Sequence, residues 1–470
     1  MPKPDPAARV PKPDRLQLGL VVLAGTAFLL STDLTMVNVA IGAIQSDLQA
    51  SMSELGWVVD SYGIAMVSLL LCAAPLGQRL GHKRVFLLGL GLFGLGSLLG
   101  GLASQISLLI AARVVMGVGA ALMLAPSQVL TAVLFPPEQR TAAFATWATL
   151  GSLGLCVGPL LGGLLVSGPG WAWIFSVNLP VVALALLAGW RVLPPVAPQP
   201  GTALDPFSLA SSSLGLVLSL GALLQGPDQG WRSPAIAGSL LGGLLLLSLF
   251  VLRQRHLSQP LLQPAAWRQP GVRRALLALF AMTLSFNGAQ FLAVMELHQA
   301  GWTPLAIGLL LVPYALVVWL SSSNAAPMSR RLGAQRLITL AHAPLVLGFV
   351  LLSLAPASGA LAAMVGLGLV VGGLGQGVIA PVATTLTYNT LPAEQLGSGA
   401  GLAILARFLG SSVIVAVLDS AMASGSRSWI PGLLGTGLVS LCWLAQRPPA
   451  TAPAAPAAAG PCRDRSRSGT

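Results

Sequence analysis

The sequence predicts an all-α polytopic membrane protein: fourteen spans, with two like six-helix halves and two helices between them. Three observations predict it. First, 55% of the 470 residues are hydrophobic and 8% are charged, with a mean hydropathy of +0.81. A soluble domain carries about 25% charged residues, so this composition cannot make a solvated surface. Second, apolar runs of about 20 residues, the length that crosses a bilayer as helix, recur along the chain. Third, the basic surplus, 25 Lys+Arg against 13 Asp+Glu, falls on alternate loops. No stretch is both polar and long enough to fold alone, the longest internal one being 253–274. That excludes an ATPase, kinase or DNA-binding domain within this sequence.

The elements follow in order. Residues 1–15 form a Pro-rich basic tail. The run at 16–40 is too long for a signal-peptide core and has no small-residue cleavage site, so it is span 1. Gly, Pro and charge punctuation places the others at 55–75, 85–103, 107–134, 142–166, 173–192, 207–225, 234–252, 275–297, 304–327, 337–355, 359–388, 397–420 and 429–445. The domain organisation is therefore a tail at 1–15, a six-helix half at 16–193, two extra helices with their loops at 194–274, and a second six-helix half at 275–447. A Pro/Ala-rich, then Arg/Ser-rich, tail at 448–470 is expected to be disordered.

Charge tests this count. With the N-terminus cytoplasmic, every Lys and Arg falls on a cytoplasmic loop or tail except Arg232 and Arg427, which face outward, and Arg113 and Arg407, which lie within spans. Such a bias fits the positive-inside rule and an even number of spans, with both termini at the cytoplasmic face of the cell membrane. The +12 surplus is thus an orientation signal, and no nucleic-acid partner is expected.

An internal repeat underlies the two halves. Arg79-Leu80-Gly81-His82-Lys83-Arg84 and Arg331-Leu332-Gly333-Ala334-Gln335-Arg336 share R-L-G-x-x-R. Pro136-Pro137-Glu138-Gln139 matches Pro392-Ala393-Glu394-Gln395, and Ala125-Pro126 matches Ala380-Pro381, all at offsets of 252 to 256 residues. Two like halves about a midplane site are the layout of a rocking secondary transporter.

The charge left inside the spans is small: Asp33, Asp60, Arg113 and Arg407, with Glu296 and Asp419 near outer ends. Such charge is costly in a bilayer and marks function by default. Asp33 and Asp60 each lie roughly 8–10 Å below the outer surface at about 1.5 Å per residue. Adjacent helices are therefore expected to bring both carboxylates to one cavity, able to hold a proton or an organic cation. The alternative is that one of them simply pairs with Arg113. Trp57 stands one helical turn before Asp60 and offers either a cation–π surface or an interface anchor. Tyr62, Trp147, Phe286 and Trp319 are further aromatic candidates. The cysteines (Cys72, Cys156, Cys442, Cys462) and histidines (His82, His256, His298, His342) form no metal-ligand spacing.

In span 5, Gly154-Leu155-Cys156-Val157-Gly158-Pro159-Leu160-Leu161-Gly162-Gly163 combines a proline kink with glycines that admit a neighbouring helix. This string resembles the antiporter motif of major facilitator superfamily drug exporters. Asp33-Leu34-Thr35-Met36-Val37-Asn38-Val39-Ala40 resembles the span 1 motif of the fourteen-span drug:proton antiporter branch. Arg113 with Gly117 and Gly119 is similar to that family's span 4 motif, and Trp171-Ala172-Trp173-Ile174-Phe175-Ser176-Val177-Asn178-Leu179-Pro180 to its approach to span 6. Trp57-Val58-Val59-Asp60-Ser61-Tyr62 is similar to the subgroup that exports quaternary ammonium and other lipophilic cations.

The resemblance implies a major facilitator fold and export of lipophilic, cationic drugs or antiseptics in exchange for protons, with Arg113 joining Asp33 and Asp60 in proton coupling. Asp33, Asp60, Trp57, Tyr62 and Trp147 are the expected substrate contacts. The loop Gln78, Arg79, Gly81, Lys83, Arg84 is the expected gating segment. It departs from the family in having Gln78 where an Asp precedes the Arg, and Ala74 for its opening Gly. Met116 and Ala172 replace a common Gln and Arg. No metal or organic cofactor is expected, the proton gradient being the energy source, and no enzymatic activity. The expected partners are a small lipophilic substrate, protons and membrane lipids, and the chain is expected to be a monomer. The alternative substrate is a neutral or anionic natural product or metabolite.

Overall fold

The computed structural model describes residues 13–196, 205–257, 260, 269–302, 304–354, 360–392 and 395–423. The regular structure among the described residues is helical. In chain order the helices are α1 (Pro13–Leu48), α2 (Met52–Leu80), α3 (His82–Gly101), α4 (Ile106–Leu134), α5 (Pro137–Ser167), α6 (Trp173–Ser176), α7 (Asn178–Val192), α8 (Pro206–Gln229) and α9 (Pro234–Gln254). They continue with α10 (Pro270–Gln299), α11 (Pro304–Leu332), α12 (Ala334–Leu354), α13 (Leu361–Thr390) and α14 (Leu396–Ala423). Ten segments among the described residues are long and apolar enough to cross a membrane. Predicted spans 1 to 13 fall on these helices. The fourteenth, at 429–445, and the tail at 448–470 lie outside the described residues, as do residues 1–12 of the N-terminal tail.

Several helices run a few residues past the predicted spans, and two departures are larger, each for a local reason. α1 continues past the predicted end at residue 40 to Leu48, where Trp171 Nε1 donates to Asp47 Oδ2 at 2.8 Å. The left-handed backbone of Gln49 (φ 52°) then turns the chain. A capping box starts α2: Glu54 N donates to Ser51 Oγ, and Ser51 N to Glu54 Oε2. The Ser51 hydroxyl and N–H, both donating to the Glu54 carboxylate, hold it below the usual carboxylate range. Predicted span 6 is two helices, α6 and α7, that meet at Val177. Pro180 lacks the N–H that would bond the Ser176 carbonyl, so the short first helix stops there.

The repeat seen in the sequence is a repeat of helix packing. In the first half α1 lies along α5, α3 along α4, and α2 along α4; in the second α10 lies along α14, α12 along α13, and α11 along α13. Even the close approaches correspond. A Cβ on Gly154 would stand 2.5 Å from the Phe28 carbonyl of α1, and one on Gly410 2.5 Å from the Phe280 carbonyl of α10. The halves meet through two pairs of equivalent crossings, α5 on α11 with α14 on α2, and α5 on α13 with α14 on α4. α8 and α9 pair with each other, and α8 lies against α2 and α14. The two ends of that pair are tied by Arg253 to Asp205 at 3.2 Å and by Gln254 to Ser208 at 2.8 Å. Arg253 and Ser208 hold the Asp205 carboxyl below its ordinary range.

The turns α2–α3, α4–α5 and α11–α12 carry Arg79, Arg84, Arg140, Arg330, Arg331 and Arg336. Their side of the molecule is called the basic face below.

Candidate functional site

One charged cluster is sealed inside the first half. Arg113 Nη1 of α4 lies 2.7 Å from Asp33 Oδ2 of α1, the side chains being 0% and 1% exposed. Asn178 of α7 donates to the other oxygen, Asp33 Oδ1, at 3.1 Å and contacts Ser97 Oγ of α3 at 3.4 Å. Arg113 Nε donates to the Val58 carbonyl of α2 at 3.0 Å, and the guanidinium stacks 4.2 Å from the centre of the Tyr62 ring. Its Nη2 has no hydrogen-bond partner among the described residues. Five helices therefore converge on one ion pair. Removing one partner of a buried pair costs about 3–5 kcal/mol, because the other charge is left desolvated.

A cavity of about 810 Å³ lies between the halves, walled by α1, α2, α4, α5, α10, α11, α13 and α14. Of the expected substrate contacts, Tyr62 and Trp147 line it. Asp33, Asp60 and Trp57 are not among its lining residues. Helix phase explains Asp60 and Trp57. The α2 wall is Tyr62 and Met66, one turn apart; Asp60 stands two residues before Tyr62, about 200° away around the helix. Trp57 is 41% exposed on the outer surface, as is Trp319 at 49%. Asp33 is displaced from the α1 stripe Ala27, Leu30, Ser31, Leu34, Thr35 that faces the cavity. Neither carboxylate, then, lines the cavity. Tyr62 is the partition: one face carries Arg113 and the side chain also lines the cavity. Phe286 is buried against Tyr314. Glu296 is partly exposed, and the side chain of Asp419 lies outside the described residues.

Among the described residues, the one formally charged side chain in the cavity wall is Arg407 of α14. The sequence marked it as embedded charge but gave it no role.

The basic face of the cavity is closed by contacts between halves. Tyr388 of α13 donates to Gln128 of α4 at 3.1 Å and stacks on Phe144 of α5 at 5.1 Å. Arg140 bonds Asn389 at 2.9 Å. At the opposite end the cavity reaches Ile307 and Gly308, within two turns of the start of α11. None of these closing residues stands out in the sequence, because each works through a partner about 250 residues away.

The antiporter motif holds α5 against α1. Cβ atoms on Gly154 and Gly158 would overlap Phe28 O and Thr35, and one on Gly162 would press on Met36, while Gly163 has open space and Pro159 lines the cavity. In the expected gating loop, Gly81 (φ 92°) makes the α2–α3 turn and Lys83 Nζ donates to the Trp190 and Leu193 carbonyls at 2.7 Å, capping α7. Gln78 is partly buried; Arg79 and Arg84 are exposed and make no ion pair among the described residues.

Two pseudo-equivalent helical halves around a cavity, with a buried ion pair behind its wall, define a secondary membrane transporter. Residues 23–415 match the Major Facilitator Superfamily, and the chain belongs to it. It is a multi-pass membrane transporter and not an enzyme. It is 31% identical to the multidrug resistance protein Stp of Mycobacterium tuberculosis (strain CDC 1551 / Oshkosh), over 87% of this chain and 77% of that protein. It is also 31% identical to the methylenomycin A resistance protein of Streptomyces coelicolor, over 90% of each. Among solved structures it superposes on the proton:xylose symporter XylE with a TM-score of 0.65 at 14% identity, covering 92% of this chain and 94% of that one.

Proposed function

We propose that the chain is a proton-coupled exporter of lipophilic, antibiotic- or drug-like compounds in the cell membrane, a fourteen-span protein with both termini cytoplasmic. The names of the resistance relatives support export of such compounds. One-sided basic loops support the orientation, which makes the basic face cytoplasmic. The observation that carries proton coupling is the buried Asp33–Arg113–Asn178 cluster against Tyr62. With the Tyr388 contacts in place, the cytoplasmic side is shut. A proton taken up by Asp33 frees Arg113 to fall back on Tyr62 and the Val58 carbonyl. That loosens the tie between α1 and α4 and lets the halves rock toward the cytoplasm. Substrate then enters, the proton leaves inward, and the ion pair re-forms as the cavity turns outward.

The substrate's charge decides the energetics. Each net charge moved inward gains about 2.3 kcal/mol per 100 mV. Against one proton, a monovalent cation moves no net charge, a neutral compound one and a monovalent anion two. The resemblance to quaternary ammonium exporters points to a cation held by Asp33 and Asp60. Neither acid lines the cavity and Arg407 does, which favours the second reading, a neutral or anionic compound.

Proton release from inverted membrane vesicles tests the coupling. Substrate added to an energised vesicle is expected to release protons with the native chain and not with Asp33→Asn. Unchanged release by that variant would overturn proton coupling at Asp33.

A further inference from the structure

Among the described residues the cavity wall is neutral except at Arg407: its other polar lining is amides and hydroxyls, among them Gln376, whose Oε1 accepts from Tyr314 at 2.7 Å, and Gln128, whose Oε1 accepts from Tyr388 at 3.1 Å. Two further polar groups are unmet. Trp147 Nε1 and the Tyr62 hydroxyl are buried and have no hydrogen-bond partner among the described residues, and both side chains line the cavity. An indole N–H can only donate. Arg407 adds guanidinium N–H donors and no acceptor, and no carboxylate among the described residues pairs with it. A guanidinium held this deep in a bilayer is costly until an anion or strong acceptor meets it, and it repels a cation placed beside it. Arg407 also sits where the first half has Gly151, by the register that matches Gly410 to Gly154. The repeat therefore does not require a charge there.

We propose that Arg407 is the specificity-determining residue of the cavity. It selects lipophilic compounds that carry a carboxylate or comparable anionic oxygen, with Trp147 Nε1 and the Tyr62 hydroxyl as supporting donors. The guanidinium fork matches a carboxylate's two oxygens, while the apolar wall of Leu30, Leu34, Leu155 and Ile404 holds the rest of the molecule. The proposal rests on the cavity being the substrate site of the exporter described above.

The test is equilibrium binding to the purified full chain at fixed pH, with no gradient, using three probes that share one ring system: 1-pyrenebutyrate, its methyl ester and (1-pyrenebutyl)trimethylammonium. Tryptophan-to-pyrene energy transfer displaceable by excess unlabelled acid reports saturable binding. Pyrenebutyrate is expected to bind at least ten-fold more tightly than the cation. Arg407→Gln is expected to weaken it at least ten-fold and Arg407→Lys to recover most of that loss, with the ester changed less than two-fold. Trp147→Phe keeps an aromatic side chain but replaces the indole by a smaller phenyl and removes the N–H; it is expected to weaken the acid two- to five-fold with the ester changed less, and decides the matter if Arg407→Gln fails to fold. The proposal is overturned if pyrenebutyrate shows no saturable binding or if the cation binds as tightly. It is also overturned if Arg407→Gln weakens acid and ester equally or leaves the acid unchanged, or, should that variant fail to fold, if Trp147→Phe leaves the acid unchanged. Binding that fails while vesicles still release protons removes the substrate class alone. Binding as expected without proton-driven transport removes the coupling alone.

Discussion

The two halves share a helix plan and place their charge in opposite ways. In the first half Asp33 and Arg113 are buried together and tie five helices. At the matching repeat positions the second half has Ser285, whose hydroxyl bonds its own helix at Ala281, and Gly368, which admits Leu352 and Gly348 of α12. Conversely, Arg407 of the second half lines the cavity where the first half has Gly151. One half holds a compensated buried pair; the other holds a cation in the cavity wall. On the function proposed above, this division separates the energy source from recognition, so each is open to independent damage.

The sharpest way to break this comparison is at the pair. Asp33→Asn keeps the shape and a hydrogen-bonding amide but leaves Arg113 uncompensated. Gradient-driven transport in vesicles is expected to fall to background, at least 100-fold. Arg113→Ala leaves a lone buried carboxylate and is expected to destabilise the protein by about 3–5 kcal/mol, read as a lower melting temperature in detergent. Next in size is Gly154→Val. Gly154 already stands too close to Phe28 O and Thr32 for a Cβ, so α1 and α5 must separate, with loss of both transport and thermal stability. The matching Gly410→Val tests whether the second half depends on the same approach at Phe280.

Smaller effects bear on the closure at the basic face. Tyr388→Phe keeps the stacking on Phe144 and removes only the bond to Gln128, worth about 0.5–1.5 kcal/mol. The closed population is expected to fall by up to about ten-fold, read as faster labelling of a cysteine placed at Ala132. Smallest is the α8–α9 tie. The Asp205 carboxyl is held below its ordinary range in the folded protein, so its stabilising effect is present above the unfolded value of about 4 and is lost as pH falls below it. Asp205→Asn is expected to remove that acid sensitivity of the hairpin, measured by hydrogen exchange, with transport unchanged.

Much of the fold was legible because hydropathy and Gly/Pro punctuation report a helix's length directly. Spans 1 to 13 fall on helices, and the repeat at 79–84 and 331–336 marks equivalent turns. What hydropathy does not report is rotation about a helix axis. Asp33 and Asp60 were expected in one cavity, yet Asp60 stands away from the Tyr62–Met66 face and Asp33 turns to Arg113. Asn178 was visible in the sequence as an amide in an apolar stretch, but its role depends on a carboxylate 145 residues away. The Gln128–Tyr388 contact spans 260 residues, and no local pattern encodes it. Arg407 carried a signal, a charge inside a span; the cavity around it gave that charge a use.

The separation of the two roles is tested most directly by putting Asp33→Asn and Arg407→Gln through the same two assays, gradient-driven transport and gradient-free binding of pyrenebutyrate. The expected result is a crossed pattern: Asp33→Asn binds the acid within three-fold of the native chain but cannot couple it to protons, whereas Arg407→Gln loses binding at least ten-fold and keeps proton coupling for the neutral ester. If Asp33→Asn loses binding and coupling together while Arg407→Gln loses neither, the first half holds both roles and the division described here is wrong.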